Sequence, residues 1–254
     1  MRLADKIAIV TGGASGFGAG IARKFVAEGA RVLIADRDLE RANEVAAGLG
    51  PRASACAVDV AQAEEVAAML AHAERAFGPL DILVNNAGIG HSPQPLEEVP
   101  DSLFERLYAV NMKAIYFALR EAVPRFKARA AGVDGIRGVV LNIASTGGVS
   151  PRPRLAWYNA SKGWVIAATR AAAIELAPFG IRVNALNPVA GDTPLLATFM
   201  GEDTPDMRAK FLASIPLGRF SRPDDIANAA CYLCSDEASM LTGVCMEVDG
   251  GRCI

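Results

Sequence analysis

The chain lacks any apolar run long enough to cross a bilayer: glycine, proline or a charged residue interrupts each one before the roughly 18 to 20 residues that a spanning helix needs. It also lacks an excess of either charge. With 26 Lys and Arg against 28 Asp and Glu, the formal net charge is -2, and without a basic field there is no electrostatic footprint for nucleic acid. Cysteine is sparse and odd in number, 5 in 254 residues, which fits reduced thiols better than a disulfide framework. Met1 leads through Asp5 and Lys6 straight into apolar residues, without the h-region and cleavage site of a secretory leader. The expectation is a cytoplasmic protein with no membrane or nucleic-acid partner. One Cys-x-x-C, Cys231 and Cys234, falls inside a helical pattern with no second pair of ligands nearby, so it reads as helix packing and no metal site is expected. No linker, low-complexity tract or shift of composition divides the chain. A single domain over residues 1–254 follows, with 52% hydrophobic residues to fill its core.

What the chain does have is alternation. Short apolar runs at residues 6–10, 31–35, 53–58, 80–84, 137–143, 181–186 and 244–248 read as buried strands, and amphipathic stretches between them read as helices. The longest stretch, 101–129, carries Pro124 as a kink and Asn111 in its interior, where asparagine has low helix propensity. Regular β-α alternation argues for one doubly wound α/β domain of Rossmann type, with a mostly parallel, seven-stranded sheet flanked by helices. Between 193 and 219 the pattern weakens around Pro194, Pro205 and Pro216, as expected of a substrate lid.

Three places carry chemistry. The first strand runs into Thr11-Gly12-Gly13-Ala14-Ser15-Gly16-Phe17-Gly18 and then a helix. Glycines there let the backbone turn tightly beside a pyrophosphate, which the free N–H groups and dipole of the helix N-terminus stabilise. The spacing, G-x3-G-x-G, is weak evidence alone. The second strand ends at Asp36, where a carboxylate would hold the adenosine ribose hydroxyls and repel a 2′-phosphate, favouring NAD over NADP. Arg37 beside it could accept that phosphate, and a helix-capping role is the plain alternative for Asp36. The fourth strand exits through Asn85-Asn86-Ala87-Gly88, small residues that leave room for a ligand or simply make a turn. In Tyr158-Asn159-Ala160-Ser161-Lys162 a phenol and an ammonium stand one helical turn apart on one face, which suits proton transfer near neutral pH.

Together these residues give a chain that resembles the short-chain dehydrogenases/reductases over essentially its whole length. The match rests on Thr11-Gly12-x3-Gly16-x-Gly18, Asp59, Asn85-Asn86-Ala87-Gly88, Asn111, Ser145, Tyr158-x3-Lys162, Ile181-Arg182-Val183-Asn184, Thr193 and Asp249-Gly250-Gly251 in this order. The resemblance implies a catalytic tetrad. Tyr158 would be the general acid and base, and Ser145 would hydrogen-bond the reacting oxygen. Lys162 would lower the tyrosine pKa and bind the nicotinamide ribose, and Asn111 would hold a water that relays protons. It also implies cofactor contacts from Gly12, Ser15, Gly16, Phe17 and Gly18 to the pyrophosphate and ribose and from Asp59 and Val60 to the adenine. Asn86, Ala87 and Gly88 would meet the adjacent ribose, and Pro188 and Thr193 the nicotinamide side. A homotetramer is the family's usual assembly. Two residues depart from the pattern: Val189 stands where a glycine is usual, with a glycine only at Gly191, and Phe17 where isoleucine is common.

The reaction this implies is NAD-dependent interconversion of a secondary alcohol, such as a polyol, sugar or cyclic alcohol, with its ketone. Reduction of a 3-oxoacyl thioester with NADPH is the alternative within enzymes, and a catalytically silent nucleotide-binding scaffold the alternative outside them. The substrate is not legible. Arg152 and Arg154 lie between the serine and the tyrosine, where either pairs with a carboxylate or simply faces solvent or another subunit. His91 is a candidate substrate contact and His72 a solvated surface residue. Trp157, Phe199, Met200, Met207 and Phe211 would line an apolar pocket or pack the lid.

Overall fold

The computed structural model describes residues 1–254. Its strands are β1 (Ile7–Thr11), β2 (Arg31–Asp36), β3 (Ala53–Ala57), β4 (Ile82–Asn85), β5 (Gly138–Ile143), β6 (Ile181–Pro188) and β7 (Cys245–Val248). They form one sheet in the order β3-β2-β1-β4-β5-β6-β7. Every pairing is parallel, so the sheet is wholly rather than mostly parallel. Parallel strands need crossover helices, and those helices cover both faces. That is why β1, β4, β5 and β6 are buried at every residue and read as continuous apolar runs rather than alternating ones.

The helices are α1 (Gly16–Ala27), α2 (Leu39–Leu49), α3 (Ala63–Phe77), α4 (Asp101–Tyr108), α5 (Ala114–Ala128), α6 (Ala156–Leu176), α7 (Leu195–Met200), α8 (Pro205–Ala213) and α9 (Pro223–Cys234). On one face of the sheet Ile21, Phe25, Ile34 and Ile226 join a core that includes Cys231 and Cys234 of α9. Both thiols are buried and free, and burial pushes the Cys234 thiol up to about 12. These cysteines pack α9 on the sheet. On the other face Leu70, Phe117, Phe126 and Leu176 close the second core under α3, α5 and α6. No helix is long and apolar enough to cross a membrane.

The structure refines three expectations. The stretch 101–129 is not one α-helix: between α4 and α5 the residues Ala109–Lys113 form a π-helical segment with Asn111 at its centre. A π-segment widens the helix by one residue and commonly sits at a functional site, which accounts for an interior asparagine. Pro124 lies within α5 without ending it. Residues 193–219 are not a structureless loop, because Pro194 and Pro205 start α7 and α8 rather than break them. Proline suits a first helical turn, where its missing N–H has no partner to lose. Third, His72 on α3 is half-buried, so only part of the ring meets solvent.

One motif that carried the resemblance is structural. The Arg182 guanidinium, buried on β6, donates to the carbonyls of Leu233 (2.9 Å), Ser235 (3.1 Å) and Leu241 (3.1 Å). Asn184 donates to Leu241 O at 2.9 Å and accepts from Val244 N at 3.0 Å. These bonds fasten the end of α9 and the entry to β7 onto β6. The strand order reverses direction between β1 and β4, and in such sheets the ligand crevice opens at the carboxyl ends of those two strands.

Candidate active site

The carboxyl ends of β1 and β4 are stitched together by side chains. Thr11 Oγ1 accepts from Asn86 N (3.0 Å) and Ala87 N (3.1 Å), and Asn86 Nδ2 donates to the carbonyls of Thr11 (2.8 Å) and Gly12 (3.0 Å). The turn needs its glycines. Gly12 has φ +62°, and a Cβ there would sit 2.9 Å from Ala87 Cα. Gly16 has φ +51°. The Ser15 side chain makes no cap bond to α1, so the first N–H groups of that helix are left for a ligand in the cleft.

A cleft of about 480 Å³ runs from this turn across the sheet ends to the lid. Its wall includes Gly12, Ser15, Gly16, Phe17, Asp36, Asp59, Val60, Asn86, Ala87, Gly88, Ser145, Tyr158, Lys162, Pro188 and Thr193. Two expected site residues are absent from the wall. Gly18 lies behind the turn, where a Cβ would overlap the Gly12 carbonyl oxygen, so its missing side chain permits close helix–turn packing. Asn111 is 1% exposed. Its amide donates to Ile89 O (2.9 Å) and Ser161 Oγ (3.0 Å) and accepts from Ile89 N (2.9 Å). Both side-chain donors are engaged, and these bonds join the Ile89 backbone to Ser161 of α6.

At the β2 end, Asp36 accepts from Ala14 N through Oδ2 (3.0 Å) and from Asp38 N through Oδ1 (3.1 Å). Its carboxylate is thereby fixed at the cleft edge beside Arg37. Asp38, not Asp36, caps α2.

At the other end Tyr158 and Lys162 share the inner face of α6, both buried. Lys162 Nζ donates to Ile143 O at 2.8 Å. Burial pushes the lysine down to about 8. Burial likewise pushes the Tyr158 phenol up to about 12, against a hydrogen bond from Ser145 that favours the phenolate. The expected lowering of the tyrosine by the lysine is therefore not the dominant effect in the free protein. Burial away from water disfavours the charged form of each group. Ser145 adopts an extended conformation at the end of β5 and accepts from Gly147 N at 3.0 Å. A Cβ at Gly147 would lie 2.8 Å from Asn159 Oδ1 and 3.4 Å from both Ser145 Oγ and Tyr158 Cε1, so a side chain there would crowd all three. Ser145, Gly147 and Tyr158 all line the cleft, so the hydroxyl and the phenol face the same space.

The lid closes this end. Phe199 and Phe211 line the cleft with Leu155, Leu195 and Leu196, while Met200 and Met207 pack within the lid. Trp157 faces away, donating to Leu96 O at 3.1 Å and meeting Phe104 edge-on. His91 is buried, with Nδ1 2.8 Å from Ser92 O, and is not on the wall. Arg152 is on the wall, whereas Arg154 is exposed. Asn159, Leu155 and Ile89 also line the cleft. Asn159 was legible as a neighbour of Tyr158 in sequence, but its facing the cleft depends on how α6 begins.

The glycine cradle, the unsatisfied start of α1 and the fixed Asp36 carboxylate fit a dinucleotide. Comparison with known proteins agrees. Residues 12–252 match the family model described as enoyl-(acyl carrier protein) reductase. The chain is 48% identical to 4-formylbenzenesulfonate dehydrogenase of Comamonas testosteroni, covering 99% of each. It is 36% identical to galactitol 2-dehydrogenase of Agrobacterium fabrum, again covering 99% of each. Among solved structures, 3-ketoacyl-(acyl-carrier-protein) reductase from Brucella melitensis complexed with NADH superposes with a TM-score of 0.93 at 51% identity, over 99% of this chain and 100% of that one.

Proposed function

The chain belongs to the short-chain dehydrogenase/reductase family, and from that premise we propose that it is an NAD-dependent oxidoreductase interconverting a secondary alcohol and its ketone. The observation that carries the reading is the pairing of the Ser145 hydroxyl with the Tyr158 phenol on the cleft wall, with the Lys162 ammonium on the same wall. A substrate oxygen that reaches both meets a hydrogen-bond donor and a proton-transfer group at once, the arrangement that carbonyl reduction requires. The nicotinamide of a bound cofactor supplies or accepts the hydride.

In the reducing direction Tyr158 gives its proton to the carbonyl oxygen while Ser145 holds that oxygen in place. In the oxidising direction Tyr158 takes the proton from the alcohol. Lys162, one turn along α6, places its ammonium beside Gly88, where a ribose hydroxyl would displace the carbonyl of Ile143 as its partner. Pro188 and Thr193 bound the nicotinamide end, Asp59 and Val60 the adenine end, and the Gly12–Gly16 turn the pyrophosphate. Asp36 supports NAD over NADP by repelling a 2′-phosphate, and the NADH in the Brucella melitensis reductase structure supports it too.

A polyol or cyclic alcohol fits the galactitol 2-dehydrogenase relative. The name of the 3-ketoacyl-(acyl-carrier-protein) reductase favours the second reading, reduction of a 3-oxoacyl thioester. Initial rates over a panel of polyols, sugars, cyclic alcohols and a 3-oxoacyl thioester, with each cofactor, separate the two. Preference for NADPH and the thioester sinks the first reading. Tyr158→Phe is expected to lower turnover by on the order of 10²- to 10⁴-fold, and unchanged turnover would refute the mechanism. Exposed Phe104, Tyr108, Tyr116 and Trp164 on α4, the α5 face and α6 support assembly through those helices into a homotetramer. Free cysteines support a reducing, cytoplasmic setting.

A further inference from the structure

The substrate end of the cleft carries a positive charge that nothing in the chain neutralises. Arg152 is half-buried on the cleft wall, in the segment between Ser145 and Tyr158. Its position is fixed from two sides. The guanidinium lies over the Phe211 ring of α8, 4.3 Å from the centroid, and one terminal nitrogen donates to Ser214 Oγ at 3.3 Å. Its main-chain carbonyl accepts from Asn159 Nδ2 at 2.8 Å, which ties the residue to the first turn of α6.

No carboxylate pairs with it, since the ion pairs of the chain all join other residues. The charged neighbour it does feel is a second cation, Arg252 in the C-terminal segment, with the Cys253 thiol opposing weakly. Arg252 has no acidic partner either, and its Nε is buried without a hydrogen bond. Asp249, three residues before it, is engaged by Gly251 N (2.9 Å) and Cys253 N (2.8 Å). Burial, with Arg252 second, pushes the Arg152 guanidinium down to about 10, which leaves it cationic at neutral pH. Of the five N–H donors of a guanidinium, the single bond to Ser214 leaves most without a protein acceptor. A desolvated cation beside another cation, with donors to spare, is disfavoured until an anion joins it.

We propose that Arg152 is a specificity-determining residue, binding a carboxylate or sulfonate on the same molecule whose reacting oxygen lies between Ser145 and Tyr158. The planar fork of the guanidinium matches such oxyanions with two parallel hydrogen bonds. The Phe211 ring supports that fork from one side and, with Phe199 and Leu155, lines the apolar part of the cleft. The preferred substrate is therefore a secondary alcohol or ketone on a compact apolar frame with an anionic group at its far end. This inference rests on the alcohol dehydrogenase reading of the site.

The test compares 4-hydroxycyclohexanecarboxylate with its neutral carboxamide, using the full-length protein and NAD. The expected result is kcat/KM higher for the carboxylate by on the order of 10- to 100-fold, mainly through KM. In Arg152→Met the ratio falls to within about twofold of unity, and in Arg152→Lys part of it remains, as for a point charge without the fork. Equal kcat/KM for the two compounds in the unmodified protein, or a preference that survives Arg152→Met, overturns the proposal.

A second measurement is independent of turnover: calorimetric binding of cyclohexanecarboxylate, benzenesulfonate and cyclohexanecarboxamide to the protein–NADH complex. Binding of the two anions at least about tenfold tighter than the amide, lost in Arg152→Met, supports the anion site even where no alcohol is oxidised, in which case only the reaction assignment fails. Equal binding of anions and amide refutes the site whatever the reaction.

Discussion

The rings of Tyr158 and Phe199 lie 4.8 Å apart, centre to centre, at an angle of 53°, so the first lid helix rests directly on the proposed proton donor. Tyr158 is 7% exposed, and a tilted aromatic pair contributes about 0.5–1.5 kcal/mol beyond simple burial. Phe199→Ala is expected to lower kcat/KM by about 2- to 10-fold, with Phe199→Leu in between. Gly90→Ala reaches the same end from the other side, because a Cβ at Gly90 would strike the Phe199 ring. Steady-state rates on one substrate check both; unaltered kinetics in all three variants would show that the lid closes without this contact.

Asp36 gives the cofactor prediction. Asp36→Asn keeps an oxygen to accept from Ala14 N, the 3.0 Å bond of the present carboxylate, but removes the charge that repels a 2′-phosphate. Arg37 on the same wall is then free to attract that phosphate. The ratio of kcat/KM for NAD to that for NADP should fall by about tenfold or more, a change of about 1.4 kcal/mol. A ratio that does not move would place the discrimination elsewhere on the wall.

Lys162 links function to stability. Its folded-state value of about 8 lies below the ~10.4 of an unfolded lysine. Between those values the unfolded chain holds a proton that the folded one lacks, so stability rises with pH from about 8 to ~10.4. Below 8 the full cost of burying the ammonium is present. Lys162→Met should therefore stabilise the cofactor-free protein at pH 7 by on the order of 1–3 kcal/mol, flatten the rise above pH 8 and abolish turnover. Tyr158, raised to about 12, has the opposite sign and acts only above pH ~10. Urea unfolding at pH 7 and 9.5 isolates the lysine; the prediction fails if the two proteins respond alike to pH.

These contacts mark where sequence reading stops. The strands, the crossover helices and the glycine turn were legible because period and turn chemistry are local properties, and the expected bounds differ from the observed ones by a residue or two. The π-segment at Asn111 was visible only as an asparagine in an unfavourable place, since a widened turn leaves no periodic trace. Gly18 and Gly16 look alike in a motif, yet one faces the cleft and the other faces Gly12. Arg152 and Arg154 are two residues apart in one loop. Arg154, at φ +64°, turns outward while its carbonyl accepts from Gln94 N at 3.0 Å. Arg152 turns onto Phe211, and nothing in the spacing distinguishes them.

Phe17, one of the two departures from the family pattern, packs against Gly191, which lies two residues after the other departure, Val189. A Cβ at Gly191 would overlap the Phe17 ring and come within 3.0 Å of Ser221 Oγ. Gly191 has no positive φ, so its backbone would accept alanine and the collision with Phe17 is the main obstacle. The bridge from Gly191 to Ser221 holds the strand exit against the Phe17 ring. Gly191→Ala should destabilise the protein by about 1–3 kcal/mol, the usual cost of forcing a side chain into a packed site. Because Phe17 and Gly191 line the cleft, NADH affinity should fall as well. Phe17→Ala in the same chain removes the collision, so the double variant should be more stable than the sum of the single changes predicts, by on the order of 0.5–3 kcal/mol. Urea unfolding of the four proteins measures that coupling, and simple additivity would mean that the two positions vary independently.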